Sequence, residues 1–261
     1  MRENTMMSRW KAGQATLGTW LSIPSSFSAE VVAHQGFDYV CIDMQHGVID
    51  YQVALTMLQA VSTTPSIPIA RVPSNEFGII GKMLDAGCYG VVIPMVNSPE
   101  EAKRAVDACK YYPLGARSFG PVRAGYYGGS DYYVNANANV ACIVMIETRQ
   151  AVEQIDEILA VPGIDAVYIG PADLSITLDL SPGMDNDAPV FNDALAKVVD
   201  ACRRHGVTPG IHANAAIAPK RLASGFRMVT VSGDTGALAA GAARDLKSVR
   251  DQAASGQPVY S

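Results

Sequence analysis

The sequence predicts a single (β/α)₈ barrel over residues 1–261, an α/β fold with parallel strands. Three observations carry this expectation. Eight short apolar runs alternate with amphipathic stretches, and such alternation implies a parallel sheet. The chain of 261 residues holds eight such units with no linker between them. The first apolar run is followed by "PSSFSAE", which lacks the glycine-rich turn that opens a doubly wound nucleotide-binding sheet.

The strand signals, in order, are "TLGTWLSI", "YVCIDM", "IPIARV", "GVVIPMV", "ACIVMIE", "AVYIGPA", "TPGIHA" and "MVTVSG". They are rich in β-branched residues or continuously apolar, as strands covered on both faces are. "DYQVALTMLQAVSTT" and "FGIIGKMLDAG" carry apolar residues at three- and four-residue spacing and read as helices. "SPEEAKRAVDACKYYP" opens with Ser98 as N-cap, Pro99 at the first helical position and Glu101 as a capping-box acid. "AVEQIDEILAVPG" and "FNDALAKVVDACRRHG" end at glycines suited to helix termination. Residues 114–139 and 175–190 are longer interruptions, expected to be lids or oligomer contacts that shape substrate choice.

Composition narrows the class of protein. Hydrophobic residues make up 49% and charged residues 17%, the balance of a globular domain. The formal net charge is −5 with no long run of like charge, which argues against nucleic-acid binding. No apolar segment approaches a membrane span, and the N-terminus "MRENTMMSRWK" has no signal-peptide core. The five cysteines form no C-x-x-C pair and read as small apolar residues in a reduced compartment. A cytoplasmic location is expected.

In a barrel, chemistry sits where the strands end and the following loops begin. Those positions hold Asp43 and His46 after strand two, Arg71 on strand three, Glu147 after strand five, Asp173 after strand six, His212 on strand seven and Asp234 after strand eight. Two carboxylates 4 Å apart repel by about 4 kcal/mol at an effective dielectric of 20. A cation between Glu147 and Asp173 removes that cost. Oxygen donors without a cysteine cluster or H-E-x-x-H suit Mg²⁺ or Mn²⁺ better than Zn²⁺. Taken singly, each residue has a structural reading. Asp173 caps a helix, Glu147 favours a helix dipole, and Arg71 pairs with a nearby acid. Their convergence on one rim favours function. Asp234 reads as a helix cap, and His34 and His205 lie near helix ends with no site role. His212 is open between a pocket wall and a substrate contact. Free N–H groups around Gly170 and Ala172 in "GPADLS" offer a carboxylate cradle beside the metal. A 2-oxo acid fits such a site, with Arg71 facing the oxygen that gains charge on enolisation.

These residues resemble the HpcH/HpaI family of metal-dependent pyruvate aldolases. The resemblance rests on "GTWLSIPSSFSAEVVAHQGFDYVCIDMQHG", "ARVP", "VVIPMVNSPEEA", "GARSFGP", "MIETRQAV" and "IGPADLS". It implies a barrel assembled as a homo-oligomer, often a hexamer, with the last helix exchanged between subunits. It implies a divalent ion (Mg²⁺, Mn²⁺ or Co²⁺) on Glu147 and Asp173, and Arg71 against the pyruvate enolate. His46, oriented by Asp43, would handle protons at the aldehyde end. Gly170, Pro171 and Ala172 would line the carboxylate subsite. The implied substrates are pyruvate and an aldehyde. The chain departs from the family at Gln45, Met145 and His212, the last standing where relatives carry an apolar residue.

Three other activities compete. A Schiff-base aldolase needs a lysine at a strand end, and no strand signal contains one. A lyase acting on a coenzyme A thioester or on oxaloacetate would use similar groups. A catalytically silent 2-oxo-acid-binding barrel is the third, and the complete set of Arg71, Glu147 and Asp173 argues against it.

Overall fold

The computed structural model describes residues 1–254. All eight expected strands form: β1 Thr16–Leu21, β2 Tyr39–Asp43, β3 Ile67–Arg71, β4 Gly90–Ile93, β5 Ala141–Ile146, β6 Ala166–Ile169, β7 Thr208–His212 and β8 Met228–Gly233. They pair in sequence order, all parallel, and β8 closes on β1. The register places Asp43 of β2 beside Arg71 of β3.

Two layers of core hold the barrel. Between strands and helices lie residues such as Val40, Ile42, Val91 and Val144, packed on helix residues such as Met57, Leu58, Ile80 and Val106. Inside the barrel, Tyr39, Cys41, Ile69, Tyr89, Ile143, Met145 and Tyr168 fill the lumen. Gly18 belongs to this inner packing. A Cβ there would lie 2.1 Å from the Tyr39 ring, so the absent side chain makes room for the tyrosine.

The helices follow the sequence signals at Tyr51–Val61, Phe77–Asp85, Pro99–Cys109 and Pro189–His205. Ser98 Oγ accepts from the Glu101 amide at 3.3 Å, as expected of an N-cap, while Glu101 Oε2 accepts from Asn97 N at 2.7 Å. Gly206 ends the Pro189–His205 helix at φ +69°, a conformation glycine adopts without strain. The single helix expected over 151–163 is two short segments, Arg149–Glu153 and Ile155–Leu159.

A helix at Thr5–Lys11 was not foreseen from the sequence. It presents Met6, Met7 and Trp10 to the inner core. The Asn4 side chain fixes it there by donating to Tyr89 O at 3.0 Å and Asn139 O at 2.8 Å. The segment therefore plugs the end of the barrel where the strands begin.

Residues 114–139 correct the sequence expectation of a lid over the site. They contain helices at Val122–Gly128 and Tyr132–Asn139 and lead from the Pro99–Cys109 helix into β5. They accordingly lie at the plugged end, where Arg2 N donates to Gly128 O at 2.6 Å. Such a segment cannot form a lid over the opposite mouth of its own chain, and the expected oligomer contact is its proposed role.

Among the described residues no helix is long and apolar enough to cross a membrane. All five cysteines are buried and free. The last helix, Asp234–Ala254, exposes Leu238, Leu246 and Val249.

Candidate active site

At the strand C-termini a cavity of about 290 Å³ opens, lined by Asp43, His46, Arg71, Gly170, Pro171, Ala172, Asp173 and His212, with Trp20, Met145, Tyr168 and Met184 as apolar wall. Nearly every site residue expected from the sequence thus meets here. Glu147 lies just behind the lining: its Oε2 is the atom a Cβ at Gly170 would strike, at 2.4 Å. The absent side chain at Gly170 lets the β6 turn pass this close to the carboxylate without displacing it.

Asp43 ends β2 and is buried. Its Oδ1 accepts from Arg71 Nε at 2.8 Å and its Oδ2 from Arg71 Nη2 at 2.6 Å, a two-point pair of the strong, charge-assisted kind. Oδ1 also accepts the amides of Gln45 at 3.1 Å and His46 at 3.2 Å. Burial alone would raise the Asp43 pKa, but the Arg71 contacts outweigh it and hold it below the usual carboxylate value. Burial likewise works against the Arg71 charge, and Asp43 overcomes it and raises the pKa.

The expected contact between the Asp43 carboxylate and the His46 ring does not form. Asp43 orients the histidine through its backbone amide, because the carboxylate faces Arg71 across the β2–β3 register. The His46 ring stands at the exposed rim. Gln45 Oε1 is buried without a partner among the described residues.

Across the cavity, Glu147 Oε1 accepts the Met95 amide at 2.8 Å. Met95 adopts φ +55°, a costly conformation for a non-glycine residue, and the hydrogen bond shows what it achieves. Burial raises the Glu147 pKa; the Met95 amide opposes, and the Asp173 charge adds to the rise. The sequence reading missed Met95, and a lone residue in "IPMVNSP" gives no signal for a positive φ.

Asp173 lies in the first turn of the Pro171–Thr177 helix and is exposed to the cavity. Pro171 has no N–H and contributes only wall, so the backbone cradle expected over 170–172 rests on the neighbouring amides. Asp234 opens the last helix, and its carboxylate serves the β1 loop rather than the cap role expected from the sequence. Its carboxylate accepts the amides of Ser22, Ile23 and Thr235 at 2.7–3.1 Å, tying β1 to the last helix. His205 Nε2 contacts Asp156 at 3.0 Å on the surface, and His34 caps the Ser26–Ala33 helix.

His212 settles on the cavity wall. Its Nδ1 lies 3.2 Å from Tyr168 Oη, and its ring meets Trp20 edge-on at 5.3 Å. Burial and the neighbouring Arg71 charge push its pKa down to about 4, with Asp43 opposing.

Do these side chains suit a cation? Glu147 Oε2 accepts no hydrogen bond among the described residues, and Asp173 faces it closely enough to raise its pKa. Two anionic oxygen donors, one desolvated and short of a partner, suit a hard divalent ion. Among the described residues no group of three or more His, Cys, Asp or Glu forms a fuller cage, so remaining positions would fall to water or substrate.

Acids, a cation and histidines gathered at the strand C-termini define a barrel enzyme. The HpcH/HpaI aldolase/citrate lyase family matches residues 16–240, and the chain belongs to that family and is a carbon–carbon lyase. It is 39% identical over 248 residues to a hydroxypyruvate/pyruvate aldolase of Rhizorhabdus wittichii, covering 95% of this chain and 99% of that one. It is 38% identical over 241 residues to a 4-hydroxy-2-oxo-heptane-1,7-dioate aldolase of Escherichia coli, covering 91% of each. A crystal structure of an HpcH/HpaI aldolase/citrate lyase family protein from Burkholderia cenocepacia superposes with a TM-score of 0.88 at 35% identity, covering 95% of this chain and 99% of that one.

Proposed function

We propose that the chain is a metal-dependent aldolase that reversibly cleaves a 4-hydroxy-2-oxo acid to pyruvate, or a close 2-oxo acid, and an aldehyde. The observation that carries this reading is the opposition of Arg71 to the Glu147–Asp173 pair across one cavity. The names and extents of the aldolase relatives support it. No lysine lines the cavity, which speaks against a Schiff-base route.

Glu147 and Asp173 would hold Mg²⁺, Mn²⁺ or Co²⁺, which when bound supplies Lewis-acid polarisation of the 2-oxo group. Asp43 takes Nε and Nη2 of Arg71, leaving Nη1 to face the 2-oxo oxygen. In the cleavage direction His46 removes the C4 hydroxyl proton. The C3–C4 bond breaks, its electrons pass to C2–C3, and the 2-oxo oxygen takes negative charge beside Arg71. Protonation at C3 then yields pyruvate. The backbone at Gly170 and Ala172 receives the substrate carboxylate, and Trp20 and Met145 keep water from the reacting carbons.

The working unit is proposed to be a cytoplasmic homo-oligomer, a hexamer with exchange of the last helix. Apolar Leu238, Leu246 and Val249 on that helix, and Leu17, Phe27 and Val31 on the barrel surface, are exposed in the single chain, which favours burial against a second copy.

The test is a retro-aldol assay over a panel of 4-hydroxy-2-oxo acids, with pyruvate release measured before and after exhaustive EDTA treatment. Release that stops with EDTA and returns with Mg²⁺ or Mn²⁺ is expected. Full turnover after chelation would sink the metal dependence, and no release from any panel member would sink the activity.

A further inference from the structure

A buried polar chain runs from the cavity wall into the barrel. His212 Nδ1 lies 3.2 Å from Tyr168 Oη, Tyr168 Oη 2.5 Å from Thr230 Oγ1, and Thr230 Oγ1 3.0 Å from Tyr39 Oη. Tyr39, Tyr168 and Thr230 are each 0% exposed, so their hydroxyls are out of reach of bulk solvent. Among the described residues the three hydroxyls have no other partners.

The chain has three links, and each link takes one proton. The three hydroxyls supply three protons. If Nδ1 also carried a proton, one of the four would be left buried without an acceptor, which folded proteins avoid. The satisfied arrangement runs in one direction: Tyr39 donates to Thr230, Thr230 to Tyr168, and Tyr168 to His212 Nδ1. The ring proton then sits on Nε2. Nε2 has no partner among the described residues and is not among the sealed, unpartnered atoms.

His212 stands at a seam. It lines the cavity that holds Arg71 and Asp173, and also an adjoining groove bordered, ahead of the last helix, by Ala213, Asn214, Ser232 and Gly233. With the 2-oxo acid placed against Arg71 and Asp173, that groove is the adjoining space open to an aldehyde fragment. We propose that His212 is a specificity-determining hydrogen-bond donor, locked as the Nε2–H tautomer by the Tyr39–Thr230–Tyr168 chain, that selects aldehydes bearing an oxygen on the carbon next to the carbonyl. The placement of the aldehyde rests on the aldolase reading; the tautomer does not. The low pKa of about 4 keeps the ring neutral at neutral pH. Arg71 and Asp43 are the charged groups that face it, with opposite effects.

The test has two arms on the Mg²⁺-loaded enzyme. Nitrogen NMR of ¹⁵N-histidine-labelled protein, with His212 assigned by its loss in His212→Leu, should show protonated Nε2 and unprotonated Nδ1. In Tyr168→Phe that preference should be lost. Aldol addition of pyruvate to glycolaldehyde and to propanal, which differ by a hydroxyl for a methyl, gives the second readout. The ratio of kcat/KM for glycolaldehyde over propanal should fall about tenfold in His212→Leu, the worth of one neutral hydrogen bond. Tyr168→Phe should lower it in the same direction, and serves alone if His212→Leu fails to fold. A protonated Nδ1 in the native enzyme, or an unchanged ratio in both variants, would overturn the proposal. Absence of any aldol product from the native enzyme would instead overturn the aldolase reading, while the spectrum would still decide the tautomer.

Discussion

Lys110 and Arg71 are both cations paired with an aspartate, one at each end of the barrel, Lys110 buried and Arg71 partly open to the cavity. Lys110 Nζ donates to Asp165 Oδ2 at 2.7 Å, Val140 O at 2.6 Å and Asn137 O at 3.1 Å, which uses all three of its protons. Asp165 Oδ2 also accepts the Cys142 amide at 2.8 Å. Arg71 gives Nε and Nη2 to Asp43, and its Nη1 has no hydrogen-bond partner among the described residues, beside a cavity. The same kind of ion pair is closed at the plugged end and open at the mouth. A saturated pair fixes the β4–β5 connection; an unsaturated one holds a charge ready for something that is not protein. Unspent hydrogen-bonding capacity is the feature that distinguishes the two pairs, and it is why Arg71 rather than Lys110 is proposed to meet the substrate.

The comparison can be broken most sharply at Arg71. Arg71→Lys keeps the charge but loses the planar two-point fork. It should lower kcat by about 10²–10³-fold with the circular dichroism spectrum unchanged. An activity loss that tracked unfolding would put Arg71 with Lys110. Lys110→Met should do the reverse, costing about 3 kcal/mol of stability by leaving Asp165 unpaired. Denaturant titration would show the loss, and kcat of the remaining folded enzyme should match the native value.

His212 sharpens the contrast through pH. Its folded pKa is lowered from 6.5 to about 4. As pH falls below 6.5 the unfolded chain takes up a proton that the folded chain refuses until about pH 4. Stability should therefore decline across that window, by roughly 3 kcal/mol in total. In His212→Phe this part of the slope should vanish, which denaturant midpoints measured at several pH values would reveal. The smallest effect is expected at Gly18. Gly18→Ala forces a Cβ onto the Tyr39 ring and should cost about 1–3 kcal/mol. It should also disturb the Tyr39–Thr230 link, so the His212 nitrogen spectrum should change with it.

Much of this organisation was legible in the sequence. All eight strands could be read because continuous apolar runs are what a barrel buried on both faces requires, and their ends located Asp43, Arg71, Glu147, Asp173 and His212 on one rim. What escaped was set by tertiary geometry. The Asp43 carboxylate had two candidate partners, His46 three residues away and Arg71 on the next strand, and only the β2–β3 register decides between them. Equivalent positions at the ends of consecutive parallel strands would have been the signal. The positive φ of Met95 follows from the demand of Glu147 for a donor, which no local pattern announces. The Thr5–Lys11 helix is too short to show a convincing period, and its burial depends on a lumen that exists only once the barrel has closed. Residues 114–139 read as a lid or an oligomer contact because of their length, and a segment running from helix to strand belongs to the end opposite its own chain's chemistry, which rules out the lid alone.

The central claim is that Arg71 and the Glu147–Asp173 pair together let the enzyme enolise a 2-oxo acid. Deuterium incorporation into the pyruvate methyl group, followed by mass spectrometry in D₂O with Mn²⁺ and no aldehyde, measures that step alone. Exchange is expected in the native enzyme and is expected to be lost on EDTA treatment and in Glu147→Gln. A native enzyme that binds pyruvate without exchanging its methyl protons, or exchange that persists undiminished in Glu147→Gln, would contradict it.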